Sequence, residues 1–357
     1  MFDPKVFKGQ PGVRLSREQF VARYREQFVD PRFHEVAGAL EQVIEVAWQN
    51  YEDSHKAPRK IKAGPEYQDP EYELSSDWVE TRDRLLRAEA AQKVSPDHRI
   101  LVINGSARNE HTCPSEAPKS YRLAQAAIDT ITREGAIADF LDLSELTAAY
   151  GKKIHPCKAC VSTAMPLCHW PCSCYPNHGL GQTQDWMAEI YERWVLAHGV
   201  LIITPVHWYQ APSVLKLMID RLVCADGGNP DPTSTHGKDA KAAKKMELKG
   251  WNYPKHLAGR SFGLVVHGDA AGVENLRRIL TDWLTDMELL PAGREAIVGR
   301  YIGYYQPYAT SHSDLDKDTA LFQEVDHAAA SVVRQVKMTR SGQFSFPDRG
   351  LKEPRPK

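Results

Sequence analysis

The chain has 357 residues and a formal net charge of −1. This length accommodates one large α/β domain with additions or two small domains, and the near-neutral charge gives no general attraction to nucleic acid or to an anionic membrane. No apolar run approaches the roughly 20 residues that span a bilayer, and the first residues lack the apolar segment of a signal peptide. We therefore expect a soluble cytoplasmic protein with neither a nucleic-acid nor a membrane partner.

Residues 1–97 are predicted to form a helical arm. Apolar side chains recur at helical spacing from Val36 to Tyr51, and a second helix is predicted from Trp78 to Gln92. The stretch between them is rich in Pro, Gly, Asp and Ser, which interrupt helices. Because such helices alone offer little core, we expect the arm to pack on the main domain or on a partner subunit.

Predicted strands and amphipathic helices alternate from Arg99 onward. Such alternation favours a doubly wound α/β domain, here a five-stranded parallel sheet over residues 98–337. Residues 338–357 show no periodicity and are predicted to form an extended tail. The five predicted strands are Ile100–Ile103, Ala136–Asp142, Val200–Thr204, Phe262–Val266 and Ala296–Tyr301.

Polar loops follow the first, third and fourth of these strands. They read Asn104-Gly105-Ser106, Thr204-Pro205-Val206-His207-Trp208-Tyr209 and His267-Gly268-Asp269. Ligands of open parallel sheets bind beyond the carboxyl ends of the strands, so we expect the three loops to converge on one pocket.

The first of these loops has the features of a phosphate site. Gly105 lets the backbone approach a ligand closely, and Ser106 and Ser120 offer hydroxyl groups. The helix that begins near Ser120 adds N–H groups with positive dipole character. One phosphate is therefore predicted to bind there without a metal ion.

Three segments together resemble a known family. They are GSARNEHTCPSEAPKSYRLA, LIITPVHWYQAPSVLKLMIDR and VVHGDAAG, and they are similar to the flavodoxin-like NAD(P)H-dependent FMN reductases, a group related to iron–sulfur flavoproteins. The resemblance spans about residues 99–336. It implies a flavodoxin-like fold, bound FMN, NADPH or NADH as reductant, and a homodimer or homotetramer. The implied reaction passes hydride equivalents to flavin, a quinone or another small acceptor.

The resemblance also implies which residues bind FMN. The positions that match the phosphate loop are Ser106, Arg108, Ser120 and Tyr121. Those that would enclose the isoalloxazine ring are Pro205, Val206, His207 and Trp208, with His267, Gly268 and Asp269 at its other edge. Hydride transfer between cofactors needs no protein acid or base. His207 is a candidate proton donor, the alternative being an ordinary hydrogen-bonding residue, and a solvated Arg108 is the alternative to a phosphate ligand.

Five of the seven cysteines lie between Cys157 and Cys174. Thiolates bind zinc and iron–sulfur clusters, and the metal ligands would be Cys157, Cys160, Cys168 and Cys172. We expect no metal there; an iron–sulfur cluster, zinc and a functional disulfide are the alternatives. Two other functions accordingly stay open: an electron-transferring iron–sulfur flavoprotein, and a non-catalytic flavodoxin-like protein that binds a partner.

A long connection, residues 225–260, follows the third predicted strand and its helix. It is predicted to contain a short helix at Asp239–Leu248 that ends before Gly250 and presents four lysines. Such a basic run is either a solvated face or a site for the 2′-phosphate of NADPH. These lysines are Lys241, Lys244, Lys245 and Lys249.

Overall fold

The computed structural model describes residues 15–52, 57, 59–112, 116–178, 182–269, 271–304 and 306–344. In chain order, the helices and strands of these residues are α1 (Arg17–Arg25), α2 (Ala37–Glu52), β1 (Lys60–Lys62), β2 (Glu73–Ser75), α3 (Ser76–Val94), β3 (Arg99–Asn104), α4 (Lys119–Arg133), β4 (Ile137–Asp142), α5 (Glu145–Ala148), α6 (Met187–Leu196), β5 (Gly199–Pro205), α7 (Ser213–Leu222), α8 (Ala240–Leu248), β6 (Ser261–Gly268), α9 (Val273–Asp286), β7 (Leu290–Pro291), β8 (Ile297–Tyr301), α10 (Tyr308–Leu315) and α11 (Thr319–Arg340).

The chain divides into two compact units. The first groups residues 1–83 with residues 155–186 and 227–253, and the second contains the rest of the chain. The division falls within α3, earlier than the predicted arm boundary at residue 97. The cysteine segment and most of the long connection thus belong to the same unit as the N-terminal residues.

The first unit contains two N-terminal helices and a small antiparallel sheet. Helix α1 begins with a capping box, in which Ser16 Oγ accepts from the Gln19 N–H and Gln19 Oε1 accepts from the Ser16 N–H. Strands β1 and β2 pair with Ile61 opposite Leu74, in the stretch that the sequence predicted to interrupt the helices. A local core of Tyr67, Leu74 and Trp78 packs there.

The predicted short helix of the long connection is confirmed as α8. It begins after Asp239, whose carboxylate accepts from the N–H groups of Lys241 and Ala242. Burial of Ala243 against Ala164 and Leu167 attaches it to the cysteine segment.

The second unit has the predicted doubly wound architecture. Its parallel sheet has the order β4-β3-β5-β6, and β7 and β8 pair in succession with the free side of β6. This is the flavodoxin order 2-1-3-4-5, which confirms the predicted fold class. The predicted last strand is β8; the two-residue β7 was not predicted.

The central strands are buried along almost their whole length, which explains their continuous apolar sequences. On one face of the sheet, Ile100 and Val102 of β3 share a core with Leu123 of α4 and Val332 of α11. The predicted tail of residues 338–357 begins inside α11, and its residues 345–357 lie outside the described part. No helix among the described residues is both long and apolar enough to cross a membrane.

Candidate active site

A cavity of about 220 Å³ lies at the carboxyl ends of β3, β5 and β6 in the second unit. The three predicted loops converge on it. Its lining residues are Ser106, Arg108, Pro118, Lys119, Ser120, Pro205, Val206, His207, His267, Gly268, Asp269 and Ile302. These include every predicted FMN position except Tyr121 and Trp208.

Close contact between β3 and β5 explains the glycine of the first loop. The Gly105 N–H donates to Ile203 O over 2.8 Å, and a Cβ atom at Gly105 would lie 2.7 Å from Thr204 Oγ1. Any side chain at this position would force the two strand ends apart. The loop is further fixed by Asn104, whose Oδ1 accepts from the Ser106 N–H and whose amide donates to Asp142.

The start of α4 gives the cavity a positive end. The N–H groups of its first turn have no acceptor within the helix, and Pro118, which precedes it, has no side chain that can cap them. Arg108 and Lys119 add two cationic side chains to the lining. Burial lowers the pKa of Lys119, while the Asp269 carboxylate acts to raise it. This end of the cavity suits an anion such as a phosphate.

Ser120 and His267 join this helix to the end of β6. Ser120 Oγ lies 2.8 Å from His267 Nε2, and both side chains are buried. Burial lowers the pKa of His267 to about 3, with smaller contributions from Lys119 and His207. The imidazole is therefore neutral at physiological pH and orients the serine hydroxyl without adding charge.

The second loop forms a tight turn with unusual residues. His207 and Gln210 exchange backbone hydrogen bonds of 2.9 and 3.0 Å, and between them Trp208 and Tyr209 have φ values of +46° and +69°. Asn and Gly normally occupy these two positions, so the aromatic residues are held in a strained backbone. Trp208 does not line the cavity; its side chain is 90 % exposed.

His207 begins this turn; it is exposed, and it also lines the cavity. Burial lowers its pKa, and so does the charge of Arg108, while Asp269 acts in the opposite direction. On balance the neutral form of the ring is favoured, and a neutral imidazole can donate one hydrogen bond and accept another.

Tyr121 lies away from the cavity, which differs from the implied phosphate role. Its ring meets the ring of Phe140 edge-on at 5.7 Å. Successive helical residues are rotated by about 100°, so the residue after Ser120 faces β4 instead. Lys119 and Ile302 also line the cavity and were not predicted. Their positions in the sequence could have indicated them, because Lys119 begins α4 and Ile302 directly follows the last strand, β8.

The cysteine segment lies in the first unit. Its cysteines are free thiols, and among the residues that the structure describes no three His, Cys, Asp or Glu side chains are arranged to hold a metal ion. The expectation that no metal binds there stays a prediction, with zinc and an iron–sulfur cluster as its alternatives.

The donor set of the cavity fits the phosphate of FMN. Ser106 and Ser120 supply hydroxyls, Arg108 and Lys119 supply positive charge, and α4 supplies backbone N–H groups. The cavity volume is below the roughly 300–1,000 Å³ of typical small-molecule sites.

Fold and site together define a flavodoxin-like flavoprotein. Residues 98–301 match the family of NADPH-dependent FMN reductases, and the chain belongs to this family. The protein is therefore an FMN-dependent oxidoreductase that uses NAD(P)H. No curated protein matches its sequence.

The solved structures to which the chain is similar have low sequence identity to it. A structure of RosB with bound 8-demethyl-8-formylriboflavin-5′-phosphate is 13 % identical, with 69 % of this chain and 82 % of that chain covered and a TM-score of 0.49. A flavone reductase is 16 % identical, with coverage of 70 % and 72 % and a TM-score of 0.39. The apo form of the NADH:FMN oxidoreductase EmoB is 15 % identical, with coverage of 72 % and 97 % and a TM-score of 0.36.

Proposed function

We propose that the protein transfers reducing equivalents from NADPH or NADH, through FMN, to free flavin, a quinone or another small acceptor. The observation that carries this proposal is the convergence of three strand-end loops on one cavity whose positive end fits a phosphate. Bound FMN supplies a ring system that takes up two electrons from a nicotinamide and releases them to the acceptor.

The residues have separate roles in this proposal. Ser106, Arg108, Lys119 and Ser120 bind the FMN phosphate, and His267 is a positioning residue that acts through Ser120. The dianionic phosphate is offset by two cations and the α4 dipole. The anion therefore enters the cavity without leaving an unpaired buried charge.

The residues of the second and third loops that line the cavity would enclose the ring system of FMN. Pro205, Val206 and His207 bind one part of it, and Gly268 and Asp269 bind another. Backbone N–H groups of these loops stabilise negative charge that develops on reduction. No side chain is assigned as general acid or base, because hydride transfer between two bound cofactors would need no proton from the protein.

Reconstitution tests the proposal. The purified chain is incubated with FMN and riboflavin, and binding is measured by quenching of flavin fluorescence. NADPH and NADH oxidation is then followed with free flavin, quinones and azo compounds as acceptors. We expect FMN to bind far more tightly than riboflavin and at least one acceptor to sustain turnover. A folded chain that takes up no FMN would contradict the proposal and favour the partner-binding alternative.

Metal analysis of the same preparation tests the iron–sulfur alternative. Stoichiometric iron and sulfide, with absorbance beyond the flavin bands, would favour an electron-transfer protein over the proposed reductase.

We further propose that the chain forms a homodimer or homotetramer, which is supported by exposed apolar residues on α2. We also propose that the protein is located in the cytoplasm.

A further inference from the structure

Lys238 and two cysteines of the first unit, Cys160 and Cys174, form a compact cluster. The Lys238 ammonium group donates to Leu167 O over 2.9 Å and to Cys160 Sγ over 3.5 Å. Desolvation lowers the pKa of Lys238, but the neighbouring thiols, Cys174 and Cys160 foremost, raise it overall. The ammonium group thus stays charged and faces the sulfur atoms.

Two of these sulfur atoms are neighbours. Cys160 Sγ and Cys174 Sγ lie 3.6 Å apart and are hydrogen-bonded, and both residues are free thiols. Cys160 is partly exposed, whereas Cys174 is buried. The pair therefore has one sulfur that a solute can reach and a second sulfur sheltered directly behind it.

The surroundings activate the accessible sulfur. The hydrogen bond with Cys174 lowers the pKa of Cys160 to about 7, and the Lys238 charge acts in the same direction against the effect of burial. Thiolates, not thiols, attack disulfides. The Lys238 ammonium group, 3.5 Å from Cys160 Sγ, is placed to stabilise the thiolate that would attack.

We propose that Cys160 and Cys174 are a redox-active dithiol that exchanges with small-molecule disulfides, with Lys238 stabilising the attacking thiolate. This reaction requires neither FMN nor a nicotinamide. It therefore goes beyond the proposed reductase activity, and the two proposals can be tested independently.

The exchange has two steps. The Cys160 thiolate attacks one sulfur of a disulfide RSSR, the S–S bond breaks, and the released RS⁻ takes up a proton from water. The Cys174 thiol then gives its proton to solvent and attacks Cys160 Sγ of the mixed disulfide, which expels the second RS⁻; this thiolate in turn takes up a proton from solvent. The two cysteines lose two electrons, and RSSR is reduced to two thiols. Side-chain rotation closes the sulfur–sulfur distance to roughly 2.0 Å.

Other cysteines of the chain provide matched controls. Cys157 lies in the same segment, but its Sγ accepts from the Ala159 N–H. Cys224 belongs to the second unit, where its thiol is buried against the Tyr191 hydroxyl. Neither is expected to join the exchange.

The experiment uses the full-length chain without FMN. The reduced protein is treated with oxidised glutathione, quenched with an alkylating agent and mapped by mass spectrometry. We expect one crosslink, between the peptides of Cys160 and Cys174. The Cys160→Ser variant loses it, Cys174→Ser accumulates glutathione on Cys160, and Cys157→Ser behaves as wild type. In Lys238→Met, alkylation of Cys160 at pH 7 slows roughly tenfold, and Lys238→Arg restores most of the rate.

Three results would overturn the proposal. They are the absence of this crosslink in the wild-type chain, an unchanged crosslink in Cys160→Ser, and stoichiometric zinc or iron that is bound by these thiols and blocks their oxidation. The crosslink map of the wild-type chain tests the proposal without any variant. If a serine at the buried Cys174 impairs folding, as circular dichroism would report, Cys174→Ala replaces it. FMN uptake is measured in parallel and is expected to be the same in the reduced and oxidised chain.

Discussion

Ser120 Oγ and His267 Nε2 are 2.8 Å apart, although the two residues are 147 positions apart in the chain. One residue lies in the first turn of α4 and the other at the end of β6, so this contact fixes the hydroxyl at the positive end of the cavity. In the proposed function the phosphate of FMN accepts from that hydroxyl, and His267 determines its direction.

Loss of this contact should weaken FMN binding more than riboflavin binding. His267→Leu removes the partner of Ser120, and a lost hydrogen bond to a charged ligand is expected to raise the Kd for FMN roughly 3- to 10-fold. Riboflavin has no phosphate, so its Kd should hardly change. Fluorescence titration with both ligands measures the difference. His267→Gln retains a polar group and should recover part of the affinity; equal losses for both flavins would contradict the role.

The buried imidazole also makes stability depend on pH. Burial lowers the pKa of His267 to about 3, whereas in the unfolded chain the ring takes up a proton below about pH 6.5. The unfolded state therefore binds more protons between these values, and the free energy of unfolding falls as the pH is lowered. The slope from this group is about 1.4 kcal/mol per pH unit.

Urea unfolding of the flavin-free chain at pH 7.5, 6 and 5 measures this slope. In His267→Gln the contribution is absent, so the stability difference from wild type should narrow on acidification. The exposed His111→Gln variant is the control and should parallel the wild type. Parallel curves for His267→Gln and wild type would show that the ring is not buried as a neutral group.

Replacing the two aromatic residues of the second loop should stabilise the fold and slow reduction of the acceptor. Trp208→Asn combined with Tyr209→Gly places favoured residues at the two positive φ values, and relief of strain is expected to stabilise the chain by about 1 kcal/mol. Loss of the exposed indole removes a stacking surface beside the cavity. We expect kcat/KM for an aromatic acceptor to fall roughly 3- to 10-fold.

The control for this prediction is a strained residue far from the cavity loops in sequence. Glu288 has a φ of +59° after α9, and Glu288→Gly should raise thermal stability without changing turnover. If the double variant is as active as wild type, Trp208 has no part in binding the acceptor.

Gly105 and Gly38 should respond oppositely to alanine. At Gly105 the new Cβ would lie 2.7 Å from Thr204 Oγ1, and such overpacking costs about 1–3 kcal/mol. Gly38 lies in α2 with no atom within 4 Å of an added Cβ, so alanine there is expected to stabilise by up to about 1 kcal/mol. Thermal unfolding of both variants measures the contrast, and Gly105→Ala should also weaken FMN binding. A neutral Gly105→Ala would mean that the strand ends can separate freely.

The sequence predicted the sheet well because its central strands are buried on both faces. Strands β3, β5 and β6 are continuous apolar runs bounded by glycine, proline or polar residues, and their predicted limits were correct to within two residues. The pair β1–β2 and the strand β7 were missed, since strands of two or three residues carry no measurable periodicity.

The predictability of the site followed the same logic. Loops at strand ends converge by topology, which is why Ser106, Pro205 and His267 could be assigned to one cavity. Contacts that depend on the rotation of a helix could not be predicted, as Tyr121 illustrates. The positive φ values at Trp208 and Tyr209 contradict local preference, and local preference is all that a single sequence offers.

Self-association through α2 gives the last prediction. Val43 and Val46 are one helical turn apart and are 50 % and 58 % exposed, an arrangement typical of an interaction surface. We expect light scattering to give two or four times the chain mass of 40.2 kDa. Val46→Glu introduces a charge at this surface and should shift the chain toward the monomer without loss of helix content. Val94, which is exposed at the end of α3, provides the control. Val94→Glu should leave the mass of the oligomer unchanged. A monomeric wild type, or an oligomer that resists Val46→Glu, would exclude α2 as the interface.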